Sequence, residues 1–333
     1  MFVARRLRRS RFTLLAALYL LFFFAMPTAH GQSPGTFLDG RFESEYGSRR
    51  YKLWIPAAAD EGGRAKPPLV VMLHGCTQDA DDIARGTRLN ERAGSRHWLV
   101  LYPEQPESAN GKKCWNWYDR AHQARGAGEP ALLAALIAQV TRRHGADGGQ
   151  VYLAGISAGG AMAISLAVAY PELFVAVAVH SAIPYRAAAG VLDALAVMRD
   201  GAGRIEDLPL AGRAPVPLLV IHGEQDGVVN PRNAAQLAEQ WRAAGERVLG
   251  SPPARLEEEG RSADGRPWRR VSFRASPTNS LVEWWTVREL GHAWSGGSAA
   301  GTFTDERGPD ATALMLDFFA RRGSTDARTP EAR

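Results

Sequence analysis

The apolar positions of this chain come in short dense runs, and their period changes from one run to the next. Residues 49–56 alternate as a half-buried strand near a sheet edge does, ended by Pro56. Residues 67–73 and 98–102 are continuous apolar runs of strand length, expected of strands covered on both faces. Residues 130–143 instead repeat Leu132, Leu133, Leu136, Ile137 and Val140 at helical spacing. Residues 150–154 are strand-like, and 158–170 form a helix of small apolar residues that stops at Pro171. Two further buried strands, 174–180 and 217–221, precede a helix over 233–244. Strands at 269–274 and 281–287 close the sheet, and 310–321 make a last amphipathic helix. Strands alternating with helices predict an α/β fold with a mostly parallel sheet and helices on both faces. Residues 182–214 and 245–278 are expected to be rim insertions. No repeat and no Ser/Thr/Pro-rich linker opens a second domain, so one domain over 32–333 is expected.

The first residues change the reading of the charge. Arg5, Arg6, Arg8, Arg9 and Arg11 lead into the apolar stretch 12–26, followed by small residues before Gly31. This is the pattern of a secretory signal over 1–31, cleaved after Gly31, and the apolar run is shorter than the ~18–20 residues a membrane span needs. The whole chain carries a formal +5, but the remainder holds 35 basic and 35 acidic residues. A near-neutral product has no basic stripe to hold nucleic acid, and no stable membrane anchor is expected after cleavage. The destination is the periplasm or the medium. In an oxidising compartment the two cysteines, Cys76 and Cys114, are expected to pair; two buried thiols are the alternative. Neither has zinc-ligand spacing to a histidine.

The chemistry centres on Gly155-Ile-Ser157-Ala-Gly159, placed directly between a predicted strand and a predicted helix. That context makes Ser157 the candidate nucleophile of a sharp strand-to-helix elbow, where flanking side chains would collide with neighbouring backbone. The helix N-terminus beneath offers N–H groups to a developing oxyanion. A serine hydroxyl needs a base, and the order Ser, acid, His leads to Asp226 and then His292. Glu224 competes with Asp226 for the acid. His292 is the only histidine after Asp226 and lies on the glycine-flanked loop Gly291-His-Ala-Trp-Ser-Gly-Gly297. His180 and His222 end strands, as hydrogen-bonded structural residues do, and at His74 the backbone matters more than the imidazole. The cluster Cys114-Trp-Asn-Trp117-Tyr118 follows a strand end on the ligand-binding rim, so Trp115 and Trp117 are candidates for a substrate wall, with core packing as the alternative. Trp294 has a similar claim.

Taken together, Leu73-His-Gly-Cys-Thr-Gln78, Cys114-Trp-Asn-Trp117, Gly155-Ile-Ser-Ala-Gly-Gly-Ala-Met162 and Gly291-His-Ala-Trp-Ser-Gly-Gly297 resemble the catalytic domain of extracellular polyhydroxybutyrate (PHB) depolymerases, over roughly 42–321. Feruloyl and acetylxylan esterases share that wider family. The resemblance implies an α/β-hydrolase fold and a Ser157–Asp226–His292 triad. It further implies backbone N–H groups of Cys76 and Ala158 as oxyanion hole, and a tryptophan of the Cys114–Trp117 segment in the substrate groove. Depolymerases that attack solid polymer usually carry a linker and a separate polymer-binding domain; neither is evident here, so soluble oligomers or small esters are the expected substrates. The implied reaction is ester hydrolysis through an acyl-enzyme, with no cofactor. A secreted serine peptidase with the same triad, and a non-catalytic binding protein that holds polymer or glycan on its tryptophans, are the rival readings.

Overall fold

A computed structural model describes residues 35–57, 65–277 and 279–323, together with Phe2. The expected signal, 1–31, lies outside the described residues apart from Phe2. Ser33–Arg333 form one unit, to which every element below belongs.

The double-sided burial expected of the apolar runs organises the sheet. In β3 (Leu69–Leu73) all five side chains are buried, with Leu69, Val71 and Leu73 in one core and Val70 and Met72 in the other. Beside it lie β4 (Leu99–Glu104) and β5 (Val151–Ile156), followed by β6 (Ala176–His180), β7 (Leu218–Gly223) and β10 (Asn279–Val287), all parallel. Antiparallel hairpins finish both sides. One is β1 (Gly35–Ser44) with β2 (Gly47–Pro56), and the other is β9 (Pro267–Ser276) with β8 (Ala254–Arg261). The order across the sheet is β1-β2-β4-β3-β5-β6-β7-β10-β9-β8. One core is filled by α3 (Gly128–Arg143), α4 (Ala158–Ala169) and α6 (Arg232–Leu249). The opposite core holds α1 (Ala80–Thr87), α2 (Leu89–Gly94) and α7 (Ala311–Gly323). This is the α/β-hydrolase architecture the sequence led us to expect.

Two departures have physical reasons. Residues 245–278 are not a rim insertion: they end α6 and supply β8 and β9. In β8 seven of eight residues are exposed, so no buried face imposes alternation. Its acids instead pair with the neighbouring strand, Glu257 with Arg269 and Glu258 with Arg270. The edge strand β1 shows no alternation for the same reason, being exposed along most of its length. Residues 182–214 do leave the sheet after β6, and they carry a helix of their own, α5 (Val191–Asp200).

Because the central strands are parallel, their C-terminal ends share one rim, where α/β sheets bind ligands. Four of the ten described non-glycine residues with positive φ follow strand ends there: Thr77 past β3, Ser157 past β5, Ser181 past β6 and Glu289 past β10. Such conformations cost ~1–3 kcal/mol each and persist only where surrounding structure holds them. Among the described residues no helix is long and apolar enough to cross a membrane.

Candidate active site

Ser157 caps α4 with φ 56° and ψ −124°, the sharp elbow expected from its glycines. A Cβ at Gly155 would lie 2.4 Å from the Gly159 carbonyl oxygen, and one at Gly159 would lie 2.2 Å from that of Leu73. The Ser157 N–H donates to the His180 carbonyl at 2.9 Å, which leaves the side chain at the rim. Alongside runs the turn after β3: a Cβ built on Gly75 would meet the Ser157 Cβ at 3.5 Å. Among the described residues the N–H groups of Cys76 and Ala158 have no hydrogen-bond acceptor. Both are therefore free to donate, one next to Gly75 in that turn and the other directly after Ser157 in the chain.

Asp226 follows β7 in a turn that it closes itself, its Oδ1 accepting from the N–H groups of Val228 (3.0 Å) and Val229 (2.8 Å). Oδ2 accepts from His292 Nδ1 at 2.8 Å, and His222 Nε2 stands 3.3 Å away. Burial alone would push this carboxyl up; the hydrogen bonds from His222 and His292 outweigh it and hold it far below the usual carboxylate range. With Nδ1–H committed to a carboxylate, Nε2 is the basic nitrogen of His292, as proton abstraction from a hydroxyl requires. Glu224 is exposed, and among the described residues no hydrogen bond joins it to the imidazole. Among the described residues no hydrogen bond joins His292 to Ser157 Oγ; such links are often long without substrate and tighten in the complex.

Two further buried histidines, His180 and His74, are bonded to backbone groups. His180 separates the Ser157 turn from the His292 loop: its carbonyl takes the Ser157 N–H, its Nε2 accepts from the Ser295 N–H at 3.3 Å, and its ring lies against Trp294. His74 donates from Nδ1 to the Gly75 carbonyl (2.7 Å) and accepts at Nε2 from the Gln105 N–H (3.0 Å).

The tryptophans differ from the expected substrate wall. Trp115, Trp117 and Trp294 are only 0, 5 and 2% exposed. The Trp115 indole donates to the His74 carbonyl (3.1 Å) and that of Trp294 to Thr312 Oγ1 (3.0 Å). All three rings are packed inside the protein, and a buried indole N–H needs an acceptor, which Trp115 and Trp294 find. The group that holds this loop has no signature in the sequence. Glu129, 1% exposed, accepts from Asn116 N and Nδ2 (both 2.8 Å), from Arg49 Nη2 (3.2 Å) and from Gln105 Nε2. An acid in the first turn of a helix gives no sign of such partners, since all of them come from distant segments.

Residues 49–261 match the family described as esterase PHB depolymerase. The chain belongs to that esterase family. Poly(3-hydroxyalkanoate) depolymerase C of Paucimonas lemoignei is 30% identical over 241 residues, which cover 70% of this chain and 57% of the depolymerase. Feruloyl esterase B of Neurospora crassa is 31% identical over 192 residues, 53% of this chain and 64% of that enzyme. The chain thus spans less than two thirds of each of these relatives. The solved acetyl xylan esterase of Aspergillus awamori superposes with a TM-score of 0.66 over 86% of this chain and all of its own, at 17% identity, a likeness of fold.

The chain carries the expected disulfide: Cys76 and Cys114 are bonded, joining the turn after β3 to the tryptophan loop across 38 residues. A backbone bond from Thr77 N–H to the Lys112 carbonyl (2.7 Å) reinforces the junction. Loop-closure entropy makes the crosslink worth about 4 kcal/mol. Reduction is therefore expected to lower the melting temperature. It should also lower kcat, up to about 10²-fold, by loosening the Cys76 N–H. Thermal melts and initial rates with and without a phosphine reductant test both; unchanged rates after complete reduction would remove the Cys76 part.

Two buried imidazoles predict the acid response. Burial lowers His74 to about 4 and His180 to about 3. The unfolded chain binds these protons near pH 6.5 while the native chain does not, so stability is full above that pH and declines as pH falls towards the folded values. Each unit of the gap costs about 1.4 kcal/mol per histidine. Asp226 adds to the loss below the ordinary carboxylate range, where the unfolded chain protonates first. Urea midpoints measured from pH 7.5 to 4.5 should hold until about pH 6.5 and then fall; a flat profile throughout would contradict the neutral buried pair.

Proposed function

We propose that this chain is an exported serine esterase that hydrolyses carboxylic esters through an acyl-enzyme, with Ser157 as nucleophile, His292 as base and Asp226 as orienting acid. The observation that carries it is the 2.8 Å bond between His292 Nδ1 and the ionised Asp226, on the same rim as a serine held in a strained elbow. His292 Nε2 takes the Ser157 proton as Oγ attacks the ester carbonyl. The N–H groups of Cys76 and Ala158 hold the oxyanion. The imidazolium then protonates the leaving alcohol, and His292 activates water to release the acid and regenerate Ser157. Export rests on the signal pattern of 1–31, and one domain over 32–333 does the chemistry.

The substrates we propose are hydroxyalkanoate oligomers and small or aryl esters, in keeping with the names of the depolymerase and feruloyl esterase relatives. A panel of hydroxybutyrate oligomers, methyl ferulate, acetylated xylan and p-nitrophenyl esters of graded acyl length, with p-nitroanilides as amide controls, tests the reading. Turnover of esters well above anilides is expected, together with fluorophosphonate labelling of Ser157. Failure to label and to hydrolyse any ester would favour the non-catalytic binding protein.

A further inference from the structure

Phe303 is an exposed aromatic ring in an unfavourable backbone conformation beside the candidate base. It is 45% exposed, its φ is 52°, and its ring stands edge-on to His292 with centroids 6.2 Å apart and planes at 75°. A phenylalanine with positive φ that also leaves its ring in water carries two costs, which points to a use at the surface.

The position is held from both sides. The Phe303 carbonyl accepts from the Trp294 N–H at 2.7 Å, two residues past His292. Its neighbour Thr302 is clamped to α1: the Thr302 N–H donates to Asp82 Oδ1 (2.9 Å), and the Thr302 carbonyl accepts from Gln78 Nε2 (3.1 Å). Gln78 is buried, and its Oε1 accepts from the Gly75 N–H (2.9 Å), in the turn that passes Ser157. The Phe303 backbone is thereby tied to the His292 loop on one side and, through Thr302 and Gln78, to the turn bearing Cys76 on the other.

We propose that Phe303 is the apolar wall of the alcohol subsite, selecting esters whose leaving group is an apolar or aryl alcohol. The inference rests on the Ser157–His292 reading above. His292 must reach the alcohol oxygen to protonate it, so whatever stands against the imidazole at the open rim borders the alcohol. The buried tryptophans leave that contact to Phe303. An aryl or alkyl alcohol would cover the ring from water and recover part of the cost of its exposure.

Two ester series separate this from a structural role. One keeps the acetyl group and varies the alcohol through methyl, butyl and benzyl; the other keeps methanol and lengthens the acyl chain. Phe303→Ala should lower kcat/KM for benzyl acetate about 10-fold and for methyl acetate at most about twofold, leaving the slope of the acyl series unchanged. Phe303→Gly, which suits the positive φ and keeps the loop at least as stable, should show the same pattern. Phe303→Trp should retain the preference for benzyl. A parallel loss across both series, or a change confined to the acyl series, would overturn the assignment. Fluorophosphonate labelling of the wild-type chain and the Phe303 variants distinguishes the two readings. Absence of label in the wild type rejects the Ser157 mechanism, whereas full label with altered acyl selectivity rejects only the Phe303 subsite.

Discussion

Ser157→Ala is expected to lower kcat by about 10³–10⁶-fold with little change in substrate binding or in the unfolding transition. In the proposed mechanism the hydroxyl is the attacking atom, and among the described residues it takes no part in the elbow's own bonding. The turn is fixed by the Ser157 N–H on the His180 carbonyl and the Ala161 N–H on the Ser157 carbonyl, both at 2.9 Å and both backbone. Alanine keeps both bonds. The positive φ costs alanine and serine alike, so the variant should fold. Rates on a p-nitrophenyl ester, with a urea midpoint as control, measure the effect. A variant that retained a tenth of the activity at unchanged stability would require another nucleophile.

Asp226→Asn is expected to cost about 10⁴ in kcat, with Glu224→Gln close to neutral. The asparagine can still accept from Val228 and Val229 and preserve the turn. Its amide, presented to His292, would favour the tautomer with the proton on Nε2 and so remove the basic lone pair. It also leaves the buried imidazolium without its counter-charge, and losing a charged partner costs more than losing a neutral one. Glu224 is exposed and has no link to the imidazole, so its charge is screened by water. Rate measurements on both variants rank the acids; a larger loss at Glu224 would transfer the role.

The elements most legible in the sequence were those whose environment imposes a pattern. A strand buried on both faces is apolar along most of its length, and β3, β5, β6 and β7 are fully buried, with His180 and His222 only at their C-terminal ends. The glycines around Ser157 were legible because backbone crowding excludes any Cβ there. Edge strands lack such a constraint. β8 is held by main-chain pairing and by ion pairs to β9, and three consecutive glutamates do not announce a strand.

At the site, the sequence alone determined the order of Ser157, Asp226 and His292 and their places at strand ends, because strand order and local turn chemistry are written along the chain. Tertiary structure decided everything that depends on distant segments meeting. It separated Asp226 from Glu224 by burying one and exposing the other two residues away in the same turn. It placed the tryptophans under the rim, where their indole N–H groups find carbonyl and hydroxyl acceptors from other elements. It also set Phe303 beside His292 through Gln78, Asp82 and Trp294, which lie on separate stretches of chain. A side chain's exposure and its partners depend on how the elements pack, and no local spacing carries that information.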